Sequence, residues 1–119
     1  MGNFQELEVW KLAKDLAIYI YNITRKPLFN KDFGLRDQIR RAVVSISSNI
    51  SEGDESGSNK LSIRYFYIAK GSNAEVQTQT YIANEIGYIT ENEKEHIIST
   101  CQKISKKLYC LIKYRYQSG

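Results

Sequence analysis

Apolar residues recur at three- and four-residue intervals along most of the chain, the period of an α-helix. Val9, Leu12, Leu16, Ile20 and Ile23 form a first stripe, widened by Phe4, Trp10, Ala13 and Ala17. Asn3 and Glu6 have capping-box spacing, and Pro27 stops the run near Thr24 or Arg25. A helix over about 4–25 follows. Ile39, Val43, Ile46 and Ile50 make a second stripe, starting near Asn30 or Asp32 and predicting a helix over about 32–52. Gly53 is placed to end it, and 54–57 reads as a polar loop with Ser58 as the next cap. Leu61, Tyr65, Ile68, Ser72, Val76, Gln79, Ala83 and Ile86 carry a third helix over about 59–86, closed by Gly87. Thr90 and Glu93 form a capping box for a fourth, over about 91–115, striped by Ile97, Cys101, Ile104, Leu108 and Leu111.

Four amphipathic helices with short connections predict an all-α fold, an up-down-up-down antiparallel four-helix bundle, with 1–119 as one domain. The stretch AVVSISSNISEG, residues 42–53, is rich in poor helix formers, but its apolar period is helical. Its small polar side is Ala42, Ser45, Ser48 and Asn49. An antiparallel hairpin turning at Gly53–Ser58 pairs residues whose numbers sum to about 112, bringing Ala42 level with Ala69, Lys70 and Gly71. Small residues would meet there and let the helices close in. Glu52 opposes the dipole at its helix end. It is expected to accept hydrogen bonds from the turn or the next helix, with Arg64 or Lys60 nearby.

The chain of 119 residues, 42% hydrophobic and 25% charged, can build one core without disulfide or metal. Cys101 and Cys110 lie about 13–14 Å apart along one helix, too far to bridge, and two thiols without a CxxC pattern suit buried, reduced residues in the cytoplasm. The segment Met1–Glu6 has no basic region followed by an apolar run, and no apolar run is long enough for a membrane. Glu93 and His96 give one Glu-x-x-His pair where a di-iron bundle needs two, so no metal or cofactor is expected. Neither cysteine has a nucleophile's context, no phosphate-binding glycine loop is present, and no catalytic residue is expected.

Charge changes the picture more. The net charge is +4 and the isoelectric point about 9.0. Lys103, Lys106, Lys107, Lys113 and Arg115 crowd the last helix, with Arg36, Arg40 and Arg41 on the second and Lys60, Arg64 and Lys70 on the third. Such residues can be a solvated surface or can track phosphates. Lys103, Lys106, Lys107, Lys113, Arg115, Arg40 and Arg41 are the candidates for nucleic-acid contact. The nine tyrosines cannot all be core. Tyr67, Tyr81, Phe66 and Ile82 lie off the third stripe, and Ile18 and Tyr21 off the first, which suits a subunit interface or, alternatively, platforms for bases. On the residues alone a solvated helix surface is the favoured reading; with the resemblance given next, the leading reading becomes a non-enzymatic, oligomeric bundle that binds RNA, DNA or a nucleoprotein. A structural or protein-interaction module is the alternative, and an enzyme or metal protein using Glu93 and His96 a distant third.

The chain also resembles a known family. Phe4, Leu7, Val9, Trp10, Ala13 and Leu16 match its opening F-x-x-L-x-V-W-x-x-A-x-x-L. Phe33-Gly34-Leu35 and Gln38-Ile39-Arg40-Arg41-Ala42 match F-G-L-x-x-Q-I-R-R-A. Ser45-Ile46, Ser48-Asn49-Ile50 and Glu52-Gly53 match V-S-I-x-S-N-I-A-E-G, with Ser51 for the usual alanine. Ile68-Ala69-Lys70-Gly71-Ser72, Glu75, Thr78 and Gln79 match I-A-x-G-S-x-x-E-x-x-T-Q, and Gly87-Tyr88 the later L-G-Y. Pro27-Leu28-Phe29 replaces a usual F-P pair. These motifs are similar to those of the 23S rRNA intervening-sequence proteins, which include the accessory variability determinant of diversity-generating retroelements. The resemblance implies a cytoplasmic bacterial bundle, a homopentamer with a central channel, and a basic surface for nucleic acid or a nucleic-acid-processing protein. It implies structural roles for Ser48, Asn49, Glu52, Gly53, Gly71, Ser72, Glu75 and Gln79. It implies no catalytic residue.

Overall fold

The computed structural model describes residues 3–118; Met1 and Gly2, the start of the segment Met1–Glu6 read above, lie outside them. Five helices follow a short 3₁₀ turn at Phe4–Glu6: α1 (Glu8–Ile23), α2 (Pro27–Lys31), α3 (Phe33–Glu55), α4 (Asn59–Glu85) and α5 (Glu91–Ser118). No strand occurs among the described residues. The four long helices form a bundle of 47 × 20 × 20 Å, with α1 and α4 each packed between α3 and α5.

Cross-helix contacts give the directions. Ser45 meets Ser72, and Gly53 meets Ser62, so α3 and α4 run antiparallel. Asn59 meets Arg115 and Asn73 meets Cys101, so α4 and α5 do too. Glu8 with Lys107, and Lys26 with Glu93, set α1 antiparallel to α5. Leu16, Ile20, Ile39, Ile46, Ile50, Phe66, Val76, Ile97, Ile104 and Leu108 are wholly buried in one shared core.

Local chemistry sets most helix ends. Asp32 and Ser58 cap α3 and α4 by accepting from Leu35 N and Leu61 N. Gly87 takes φ +86°, and the amides of Gly87 and Tyr88 bond back to Asn84 and Ala83, a Schellman ending that favours glycine. The Thr90 hydroxyl accepts from Glu93 N at 3.1 Å, and the Glu93 carboxylate accepts from Thr90 N at 2.9 Å. Lys26 also binds Glu93. Burial works to raise the Glu93 carboxyl, but the hydrogen bonds from Lys26 and Thr90 outweigh it and hold the group below its ordinary value.

Several expectations need correction. Asn3 makes no side-chain cap; the 3₁₀ turn intervenes and α1 starts at Glu8. Pro27 does end α1, but it also opens α2, at the first-turn position where proline's missing amide costs nothing. α2 inserts Phe29, wholly buried, against the Tyr88 ring at 5.2 Å, and Tyr88 donates to Asp32. Gly53 does not end α3, which runs on to Glu55. A Cβ at Gly53 would stand 2.7 Å from a Phe66 ring carbon and 3.1 Å from Tyr65 Cβ, so glycine is required by close approach. The longer α3 shifts the register. Ser45 faces Ser72, a sum of 117, and Ala42 comes level with residues near 75 instead of 69–71. Small residues do meet close to the expected place on α4, at Ser72, but it is Ser45 and not Ala42 that faces them.

The early α4 stripe is also displaced. Ser62, Phe66 and Ala69 are buried, while Leu61 and Ile68 are exposed, as is Ile86 at the far end. Phe66 is therefore core and not interface. Leu111 is only half-buried and Ile112 takes its place inside. α5 continues to Ser118, past the expected fraying point at Tyr116.

Candidate nucleic-acid interface

The α4–α5 hairpin separates its charges by position. No acidic residue lies between 59 and 74 or between 96 and 118. These segments are antiparallel neighbours, so they form one half of the hairpin. That half carries Lys60, Arg64 and Lys70 on α4 and Lys103, Lys106, Lys107, Lys113 and Arg115 on α5. The other half, 75–95, carries Glu75, Glu85, Glu91, Glu93 and Glu95 against Lys94 alone.

The fold splits the candidate residues into two groups. Arg115 turns inward at the α3–α4 turn. Its guanidinium donates to Asp54 and Asn59, both at 3.3 Å, and lies 5.9 Å from the Phe66 ring centre. Arg40 donates to Thr24 Oγ1 at 2.9 Å and covers the Tyr21 ring at 4.7 Å. Both are parts of the fold. Lys107 reaches Glu8 at 3.0 Å, a pair whose carboxylate is largely exposed and so worth little. Lys103, Lys106, Lys113 and Arg41 are exposed and take part in none of the ion pairs among the described residues. Lys103, Lys106 and Lys113 share the outer surface of α5, and Arg41 lies apart on α3.

The motif residues divide likewise. Ser72 is buried and its hydroxyl lies 2.9 Å from that of Ser45; Asn49 donates to the Ser45 carbonyl and hydroxyl. Hydroxyl and amide groups thus satisfy one another in the α3–α4 seam, at low desolvation cost. Gln79 is buried with Oε1 unpartnered. Ser48, Glu52, Gly71 and Glu75 are exposed. Glu52 makes none of its expected hydrogen bonds; Asp54, two residues on and 8% exposed, is the carboxylate this turn uses. Sequence reasoning missed Asp54 because it placed that residue in a loop.

His96 is exposed, its ring 4.4 Å from that of Tyr19, and Glu93 is committed to its cap and to Lys26. No group of three or more His, Cys, Asp or Glu among the described residues is placed to hold a metal ion. Of the two thiols expected to be buried, only Cys101 is, and burial pushes it up to about 12; Cys110 is exposed. Among the described residues no helix is long and apolar enough to cross a membrane.

An antiparallel four-helix bundle whose last hairpin is free of acidic residues along one half defines the class of protein. Residues 5–110 match the model of the family described as 23S rRNA-intervening sequence protein, and the chain belongs to that family. A similar solved structure is a protein of unknown function from the S23 ribosomal protein family of Bacteroides thetaiotaomicron. It is 27% identical, with a TM-score of 0.80 over 88% of this chain and 98% of that one. No curated protein matches the chain.

Proposed function

We propose that this chain is a non-enzymatic, cytoplasmic, self-associating bundle that binds nucleic acid through the acid-free half of its α4–α5 hairpin. The observation that carries the reading is the charge segregation along that hairpin. Lys103, Lys106 and Lys113 have no carboxylate partner among the described residues and stand on one outer surface, where phosphates can replace the counterions they would otherwise gather. The family's name refers to ribosomal RNA, which favours RNA as the first probe.

Self-association is supported by a line of exposed apolar side chains on the opposite flank of α4. Leu61, Ile68 and Ile82 recur at multiples of seven residues, with the exposed Glu75 at the intervening position and Ile86 beyond them. The resemblance to the intervening-sequence proteins points to a homopentamer, in which each basic surface would be repeated. That same apolar line favours the second reading, a protein-interaction module whose charge only aids solubility.

Light scattering for mass, followed by binding to RNA and duplex DNA over a salt series, separates the two. The leading reading expects affinity that falls steeply with salt. No binding at low salt removes it.

A further inference from the structure

Beside the basic surface, α4 and α5 enclose an open groove of about 390 Å³. Its walls are Tyr67 and Lys70 from α4 and Tyr109, Lys113 and Tyr116 from α5, with Ile112 beneath. Ile112 is buried, so the floor belongs to the core and is fixed. The tyrosines are 51%, 59% and 64% exposed, which leaves most of each ring open to a ligand. Neither lysine takes part in an ion pair among the described residues.

Charge and aromatic surface alternate here. Along α5 the order is Lys106, Tyr109, Lys113, Tyr116, at helical spacing on one flank. Tyr109 and Tyr116 stand about 10 Å apart along the axis, two helical turns. A duplex hides its base faces, and a smooth basic surface would serve it. Rings set between unpaired lysines suit a strand whose bases are unstacked and whose phosphates pass alongside. An apolar partner helix would suit the apolar flank of α4 better, since its docking in this groove would desolvate Lys70 and Lys113 without a counter-charge.

We propose that this groove holds single-stranded nucleic acid, with bases stacked on Tyr67, Tyr109 and Tyr116 and phosphates on Lys70 and Lys113. The proposal rests on the nucleic-acid reading above and specifies how the strand is held. The tyrosines read no sequence, because every base presents a π-face.

The test measures binding of an oligothymidylate of about twelve nucleotides, an abasic strand of equal length and a duplex. Each is titrated against the full chain and its variants by anisotropy, with light scattering alongside. The wild type should prefer the oligothymidylate to the abasic strand by about tenfold or more. Tyr109→Ala and Tyr116→Ala should each weaken oligothymidylate binding about tenfold, leave the abasic strand and the salt slope unchanged, and be rescued by phenylalanine. Equal binding of abasic and thymidine strands, or wild-type affinity in both alanine variants, overturns the groove while leaving the electrostatic surface standing. An alanine variant of reduced assembly mass also overturns it, by making the groove a contact between copies. If none of the three probes binds at low salt, the groove falls; the underlying function falls with it only if RNA also fails to bind in the salt series above.

Discussion

The two halves of the α4–α5 hairpin share the same helices and the same core, yet they treat charge in opposite ways. In the 75–95 half, glutamates do structural work near the α4–α5 turn: Glu93 closes a cap and receives Lys26, and Glu91 and Glu95 flank Lys94. In the acid-free half, one arginine is taken by the fold and the lysines are left outward. Arg115 needs Asp54 from α3 because its own hairpin offers no carboxylate there. A bundle needing charge only for solubility could mix signs along its surface.

Stability measurements sharpen this contrast by showing which residues belong to the fold. The largest effect is expected for Phe66→Ala, which empties a wholly buried site against Gly53 and Arg115; denaturant unfolding should show a loss of about 3–5 kcal/mol. Arg115→Ala strands the buried Asp54 carboxylate and should cost about 2 kcal/mol, whereas Lys113→Ala two residues away should stay within about 0.5 kcal/mol. Equal costs for the two would break the division between structural and outward cations. At the other turn, Thr90→Ala should cost about 1 kcal/mol. Because the Glu93 carboxyl lies below its ordinary value, its contribution is complete above the ordinary carboxylate range. It is lost as pH falls through the lowered value, and an acid unfolding series on Glu93→Gln should lack that loss. The smallest effect is chemical: a thiol reagent should modify Cys110 in the native chain and reach Cys101 only on unfolding.

The parts of this architecture that were legible in the sequence are those set by neighbours along the chain. The Thr90–Glu93 box, the Asp32 and Ser58 caps and the Gly87 ending all depend on residues within a turn or so. The stripes of α1 and α5 were legible because aliphatic residues mark one face and charged residues the other. α4 resisted the same treatment. It is apolar on several sides, and the buried positions next to Gly53 are the small Ser62 and the ring of Phe66, while larger aliphatics stay outside. Gly53 read as a stop signal because glycine ends many helices, but here a neighbouring ring demands it. The five-residue α2 is too short to carry a period. At the candidate surface the lysines of α5 were legible from composition and spacing. The capture of Arg115 by Asp54 and of Arg40 by Thr24 was not, since both cross between helices. The α4–α5 groove likewise needs tyrosines more than thirty residues apart in sequence.

The central claim is that the acid-free half of the hairpin, and not net charge alone, binds polyanion. Its direct test pairs two charge reversals, Lys103, Lys106 and Lys113 to glutamate and Glu85, Glu91 and Glu95 to lysine, in RNA titrations from low to high salt. The first triple should lose about a hundredfold or more in affinity and flatten the salt slope by about two, while the second should leave the wild-type site intact. Wild-type affinity and slope in the first triple would contradict the claim.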